Sequence, residues 1–121
     1  MSKTIDLGSF GDIAKMENGK AFIGQELGLT SSEISVNVMP KDTKLPFSHK
    51  HIQNEEIYIF IKGNGKMIID GKEILVKEGT CVKVDPEEIR TMESTSELEY
   101  ICVQAKKGSL QQSGLKDGIL C

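Results

Sequence analysis

The chain holds two histidines, and they stand one residue apart as His49 and His51. Two carboxylates, Glu55 and Glu56, follow closely, and then a glycine, Gly63. In an extended segment residues two apart share a face, so both imidazoles would point the same way. Two imidazoles and one carboxylate converging on a point form a donor set for a divalent transition metal. Neutral imidazole is the binding form, so protons compete with metal near an unperturbed pKa of about 6.5. Adjacent strand residues face opposite ways, so only one of the two glutamates can join the histidines. Strict alternation from His51 favours Glu55. A turn at Gln53-Asn54 would reset the parity in favour of Glu56. Lys50 should face away from both histidines.

The elements that must position these residues read as short strands between turn signals. Residues 33–39, Glu-Ile-Ser-Val-Asn-Val-Met, alternate with period two and predict a strand with one buried face. Pro40 to Pro46 is a polar loop, and His49 to His51 opens the next extended segment. Glu56 to Lys62 is rich in β-branched and aromatic residues, which predicts a strand covered on both faces. Gly63-Asn64-Gly65 reads as a tight hairpin turn and opens no helix, so it is not a phosphate loop. Lys66 to Ile69 and Lys72 to Val76 flank Asp70-Gly71, a hairpin signal. Further strands are expected at Thr80 to Val84, from Arg90 to Glu93, and at Leu98 to Gln104. The N-terminal arm, residues 1–30, is the least regular part, with one helical turn expected between Ser9 and Lys15 and a short strand at Ala21 to Ile23. Residues 106–121 form a tail that packs loosely or against a partner. About eight strands at these spacings predict an all-β fold.

At 121 residues with a net charge of −3, the chain is expected to be one soluble domain. There is no basic stripe for nucleic acid, no apolar run long enough for a membrane span, and no signal-peptide pattern at the start. A cytoplasmic location is the expectation. The three cysteines, Cys81, Cys102 and Cys121, lack metal-type spacing. Cys81 and Cys102 fall in apolar strand segments and read as buried thiols, and Cys121 as exposed.

At the histidine cluster the chain resembles the cupin family. The family's first motif is two histidines one apart, a glutamate after three or four residues, and a glycine after six more. His49, His51, Glu56 and Gly63 reproduce it, and this register selects Glu56 over Glu55. Thr43 stands where that motif begins with glycine. The second motif is degraded. Gly79 and Pro86 are separated by six residues rather than five, Glu88 replaces a glycine, Thr91 a histidine and Thr95 an asparagine.

The resemblance covers about residues 33–104. It implies a single conical jelly-roll barrel, often dimeric, with a metal inside. Of the family's four ligands, His49, His51 and Glu56 carry over. The rest of the coordination shell is then water, or a replacement donor such as Cys102 or Gln104, unless the site is metal-free. Fe, Mn, Ni, Cu, Zn and Co all suit such a set. Tyr58 and Phe60 share parity with Glu56 and are candidates to line a substrate pocket, against the alternative of ordinary core. Asn37, with Met39, is a further candidate if that face turns inward. Arg90, beside the missing histidine, is a candidate to grip a substrate carboxylate, against the alternative of a surface salt bridge.

Two functions remain open on the sequence. One is a metal-dependent enzyme of isomerase, dioxygenase or decarboxylase type acting on a sugar or oxygenated organic acid. The other is a non-catalytic module that binds a small ligand, with or without metal. Ile57, Ile59 and Ile61 lie opposite the metal face, and this apolar stripe predicts a homodimer.

Overall fold

The structure, a computed structural model, describes residues 1–16, 18–112 and 114–121. Its elements, in chain order, are α1 (Asp12–Met16), β1 (Lys20–Phe22), α2 (Gly24–Leu27), β2 (Glu33–Met39), β3 (Asn54–Lys62), β4 (Asn64–Ile69), β5 (Lys72–Lys77), β6 (Cys81–Val84), β7 (Arg90–Ser94) and β8 (Leu98–Lys106). The strands pair antiparallel in two sheets, one ordered β1-β2-β8-β3-β6 and the other β5-β4-β7. The sheets close face to face as a jelly-roll barrel. Phe60, Tyr100 and Leu98 of the larger sheet meet Met67, Ile69, Val76 and Met92 of the smaller one. Phe60 and Met67 are fully buried, each contributing about 1.5–3 kcal/mol of transfer free energy.

β3 and β8 form the wall that carries the site. Glu56, Tyr58 and Phe60 face inward from β3 while Ile57, Ile59 and Ile61 face outward. Tyr58 lies opposite Cys102 and Phe60 opposite Tyr100. The register slips between Phe60 and Lys62. This irregularity lies beyond Glu56, so it leaves that residue's inward direction intact. The outer isoleucine face is only half covered, with Ile57 exposed, where cover on both faces was expected.

β2 departs from the expectation of one buried face, since residues 35–39 are buried on both. Its apolar side, Ile34, Val36 and Val38, turns away from the barrel. There it packs under the N-terminal arm, against Ile5, Leu7, Phe10, Ala14 and Ile23. Its other side, Ser35 and Asn37 with Met39, faces the barrel interior, opposite Cys102, Tyr100 and Leu98 of β8. The usual order of apolar inside and polar outside is thus inverted on this strand. A second helical turn, α2, follows β1, with Gly28 left-handed at its C-terminus.

The Gly63-Asn64-Gly65 segment is not a hairpin. β3 and β4 belong to different sheets and do not pair, so the glycines turn a corner between sheets. Gly63 has φ +93, and a Cβ there would run into the Glu97 carbonyl; one at Gly65 would meet that of Glu93. Asp70-Gly71 does close a hairpin, with φ of 49 and 80, as a two-residue primed turn requires. Residues 107–112 and 114–121 are exposed. Cys81, expected to be buried, is exposed because it points outward from β6, the edge strand of the larger sheet.

Candidate metal centre

His49 is fixed by a pair of backbone hydrogen bonds to Arg90, N–H to O at 3.1 and 2.9 Å, in an isolated antiparallel bridge. The His51 carbonyl accepts the Glu87 N–H at 2.8 Å. The backbone then bends at Ile52 and Gln53 before β3 begins at Asn54. That bend resets the alternation, so Glu56 turns into the barrel. The two imidazoles stand edge to face, with centroids 5.3 Å apart and planes at 88°. His51 Nε2 lies 3.3 Å from Glu56 Oε2. One donor atom each from His49, His51 and Glu56 falls within 4.8 Å of the other two.

Glu56 is buried and is the hub of the polar network. Its Oε1 accepts the Tyr58 hydroxyl at 2.8 Å, and its Oε2 accepts the Cys102 thiol at 3.3 Å. Arg90 Nε approaches Oε1 at 3.6 Å, an ion pair with both side chains almost fully enclosed. Burial, with the neighbouring Cys102 and Glu56, pushes the Tyr58 phenol well above its usual range. Burial and Glu56 push the Cys102 thiol up to about 12. Both groups therefore stay protonated at neutral pH and act as donors to the carboxylate. His49 is held below its ordinary value by burial, aided by Arg90, His51 and Lys20 and opposed by Glu56, which favours the neutral ring that a metal needs.

Of the two readings of Arg90, the surface salt bridge does not hold. Arg90 is 1% exposed, and its guanidinium enters the barrel because β7 turns residues 90 and 92 inward. Thr91, in the register of the missing histidine, instead donates its hydroxyl to the Phe47 carbonyl at 3.0 Å. Gln104 is engaged elsewhere, accepting from Asn54 Nδ2 at 3.0 Å.

A cavity of about 250 Å³ opens beside His49. Asn37, Tyr58 and Arg90 lie on its wall, together with Lys20, Tyr100 and Cys102, while Met39, Leu45, Phe47, Met67 and Met92 supply apolar surface. Phe60 is not brought to this wall. It packs in the core against Tyr100, with centroids 5.3 Å apart. Tyr100 and Lys20 had not been singled out in the sequence. Tyr100 shares parity with Cys102 on the last strand, which was a usable signal. Lys20 lies in a three-residue strand with no pattern to mark it.

The donor set fits a divalent ion. Two donors bound to one ion at about 2.1 Å, with tetrahedral or octahedral angles between them, stand roughly 3.0–3.4 Å apart. The His51–Glu56 separation of 3.3 Å meets this. His49 Nδ1 is buried and has no hydrogen-bond partner among the described residues. The remaining donor separations lie within 4.8 Å.

The family model described as Cupin domain matches residues 35–104. Among solved structures, a cupin protein from Bacteroides fragilis is 29% identical, with 99% of this chain and 97% of that chain covered and a TM-score of 0.88. A protein described as a predicted oxalate decarboxylase from Thermotoga maritima is 23% identical, covers 72% of this chain and 78% of that one, and has a TM-score of 0.63. A candidate sugar phosphate isomerase from Acidithiobacillus ferrooxidans is 13% identical, covers 72% and 58%, and has the same TM-score of 0.63. The last two likenesses concern the fold alone. No curated protein sequence matches the chain.

Proposed function

The chain belongs to the cupin domain family, and from that premise we propose that it binds a divalent transition metal through His49, His51 and Glu56 and takes a small polar organic ligand in the adjoining cavity. The convergence of those three donors, with His49 Nδ1 unpartnered, carries the reading. An ion there would supply Lewis acidity, or oxygen activation if redox-active, at positions the protein leaves open. The protein's own contribution is positional. Tyr58 and Cys102 orient the Glu56 carboxylate, and the His49–Arg90 bridge fixes the backbone of the first histidine. A sugar or oxygenated organic acid is the substrate class that this arrangement suits. Decarboxylase, isomerase and dioxygenase chemistry all remain within its reach. The half-covered outer stripe of Ile57, Ile59 and Ile61 supports a homodimer.

One observation favours a second reading. Arg90 already supplies a positive charge 3.6 Å from Glu56. A metal-free, non-catalytic binding module is the form in which that pair alone neutralises the carboxylate. Protein purified without a histidine tag separates the two. Elemental analysis is expected to find a transition metal in proportion to chain, which His51→Ala removes while the circular dichroism of the barrel persists. Metal-free protein that takes up no ion on reconstitution would establish the second reading instead.

A further inference from the structure

Besides His49 Nδ1, the cavity wall carries buried polar atoms of opposite kinds that lack hydrogen-bond partners, on Arg90 and on Asn37. Arg90 uses Nη2 to donate to the Asp85 carbonyl at 3.2 Å, but its Nη1 meets no acceptor among the described residues. Asn37 uses Nδ2 to donate to Ser35 Oγ at 3.0 Å and the Tyr100 carbonyl at 3.4 Å, but its Oδ1 meets no donor. Each residue is 1% exposed, and both line the same cavity. A buried donor or acceptor left unmatched is unfavourable, so a ligand that satisfies both gains on each. The charge of the wall selects further. Lys20 and Arg90 are its permanent cations, and no Asp or Glu lies on it among the described residues. The volume, about 250 Å³, lies just below the roughly 300–1,000 Å³ of drug-sized ligand sites and so suits a small ligand.

We propose that this cavity recognises a small hydroxylated carboxylate with an apolar body. Its anionic group meets Arg90 Nη1, with Lys20 adding to the attraction. Its hydroxyl donates to Asn37 Oδ1. Its body rests on Met39, Met67 and Met92. This deepens the small-ligand reading above and rests on it, but not on the presence of a metal.

The test uses two hydroxy acids, mandelate and 3-hydroxybenzoate. Each is compared with its deoxy acid, phenylacetate or benzoate, and with its neutral amide. Binding is followed by calorimetry and ligand-observed NMR on the full chain, both metal-loaded and chelator-treated. At least one hydroxy acid is expected to bind, at least tenfold tighter than its deoxy partner and tighter still than its amide. Asn37→Leu should abolish the hydroxyl preference and keep the carboxylate preference. Arg90→Lys should weaken the acids at least tenfold; if it fails to fold, the wild-type ligand pairs decide. The acid preference should survive chelation, so it stands even if the metal reading fails. Failure of every acid to bind, equal binding of acid and amide, or acid binding that needs metal and is unchanged in Arg90→Lys would each overturn the proposal. The last of these would leave the metal reading intact.

Discussion

Glu56→Gln tests how the barrel tolerates a carboxylate and a guanidinium in its interior. The substitution keeps the shape of the side chain and removes its charge. The hydrogen bonds from Tyr58 and Cys102 then go to a weaker, neutral acceptor, and Arg90 loses the anion 3.6 Å from its Nε. Removing one member of a buried pair costs about 3–5 kcal/mol, chiefly because the other is left charged and enclosed. Arg90 is 1% exposed, so water relieves little of that cost. Unfolding entropy of about 2.1 cal/mol/K per residue gives roughly 0.25 kcal/mol/K for a chain of this length, so a loss of about 3 kcal/mol lowers Tm by about 12 °C. Arg90→Met should cost a comparable amount by leaving Glu56 uncompensated. The double variant should cost less than the sum of the singles by at least about 1.5 kcal/mol, since neither charge is then stranded. Urea unfolding of the four proteins in chelator measures this without interference from metal. Additivity within about 0.5 kcal/mol would refute the coupling and the electrostatic account of Glu56 with it.

Gly63→Ala should destabilise by about 2–4 kcal/mol in the same urea assay, because its backbone is left-handed and a Cβ would strike the Glu97 carbonyl, whereas Gly71→Ala, also left-handed but with open space around it, should cost about 1 kcal/mol. Thiol titration of the folded protein should label Cys81 and Cys121 quickly and Cys102 only on unfolding, because Cys102 is buried and its thiol is pushed up to about 12; rapid labelling of all the cysteines would contradict the buried Cys102–Glu56 contact. The His49 pKa is lowered from 6.5, so the unfolded chain binds its proton first. The stability tied to His49 is therefore complete above that value and is lost as the pH falls through it toward the folded pKa. Urea midpoints measured across this window without metal should show a positive slope that His49→Gln flattens, and an unchanged slope in the variant would contradict the assignment.

The strands of this fold were legible because their signals are local. The isoleucine alternation of β3, the Asp70-Gly71 hairpin and the apolar run of β8 each lie within a few residues of one another. The metal donors were legible for the same reason, since only a single bend separates His51 from the strand that carries Glu56. What stayed open or was misread depends on distant packing. The inward turn of Asn37 follows from the N-terminal arm covering the apolar side of β2, and no local pattern reveals which face an arm will claim. At Arg90 a surface salt bridge stood beside the ligand-binding reading because charged side chains are usually exposed; its burial is matched by Glu56, far away in sequence. The corner at Gly63 mimicked a hairpin because both need left-handed glycine. Only the sheet assignment of the next strand distinguishes them.

The central claim is that His49, His51 and Glu56 hold one ion, and anomalous scattering tests it most directly. Crystals of protein purified without added chelator, measured on both sides of the transition-metal absorption edges, should give one strong anomalous peak per chain. That peak should lie about 2.1 Å from a nitrogen of each histidine and an oxygen of Glu56. A site with no anomalous density in crystals soaked with zinc, manganese and iron(II), and with Arg90 alone against the Glu56 carboxylate, would contradict it.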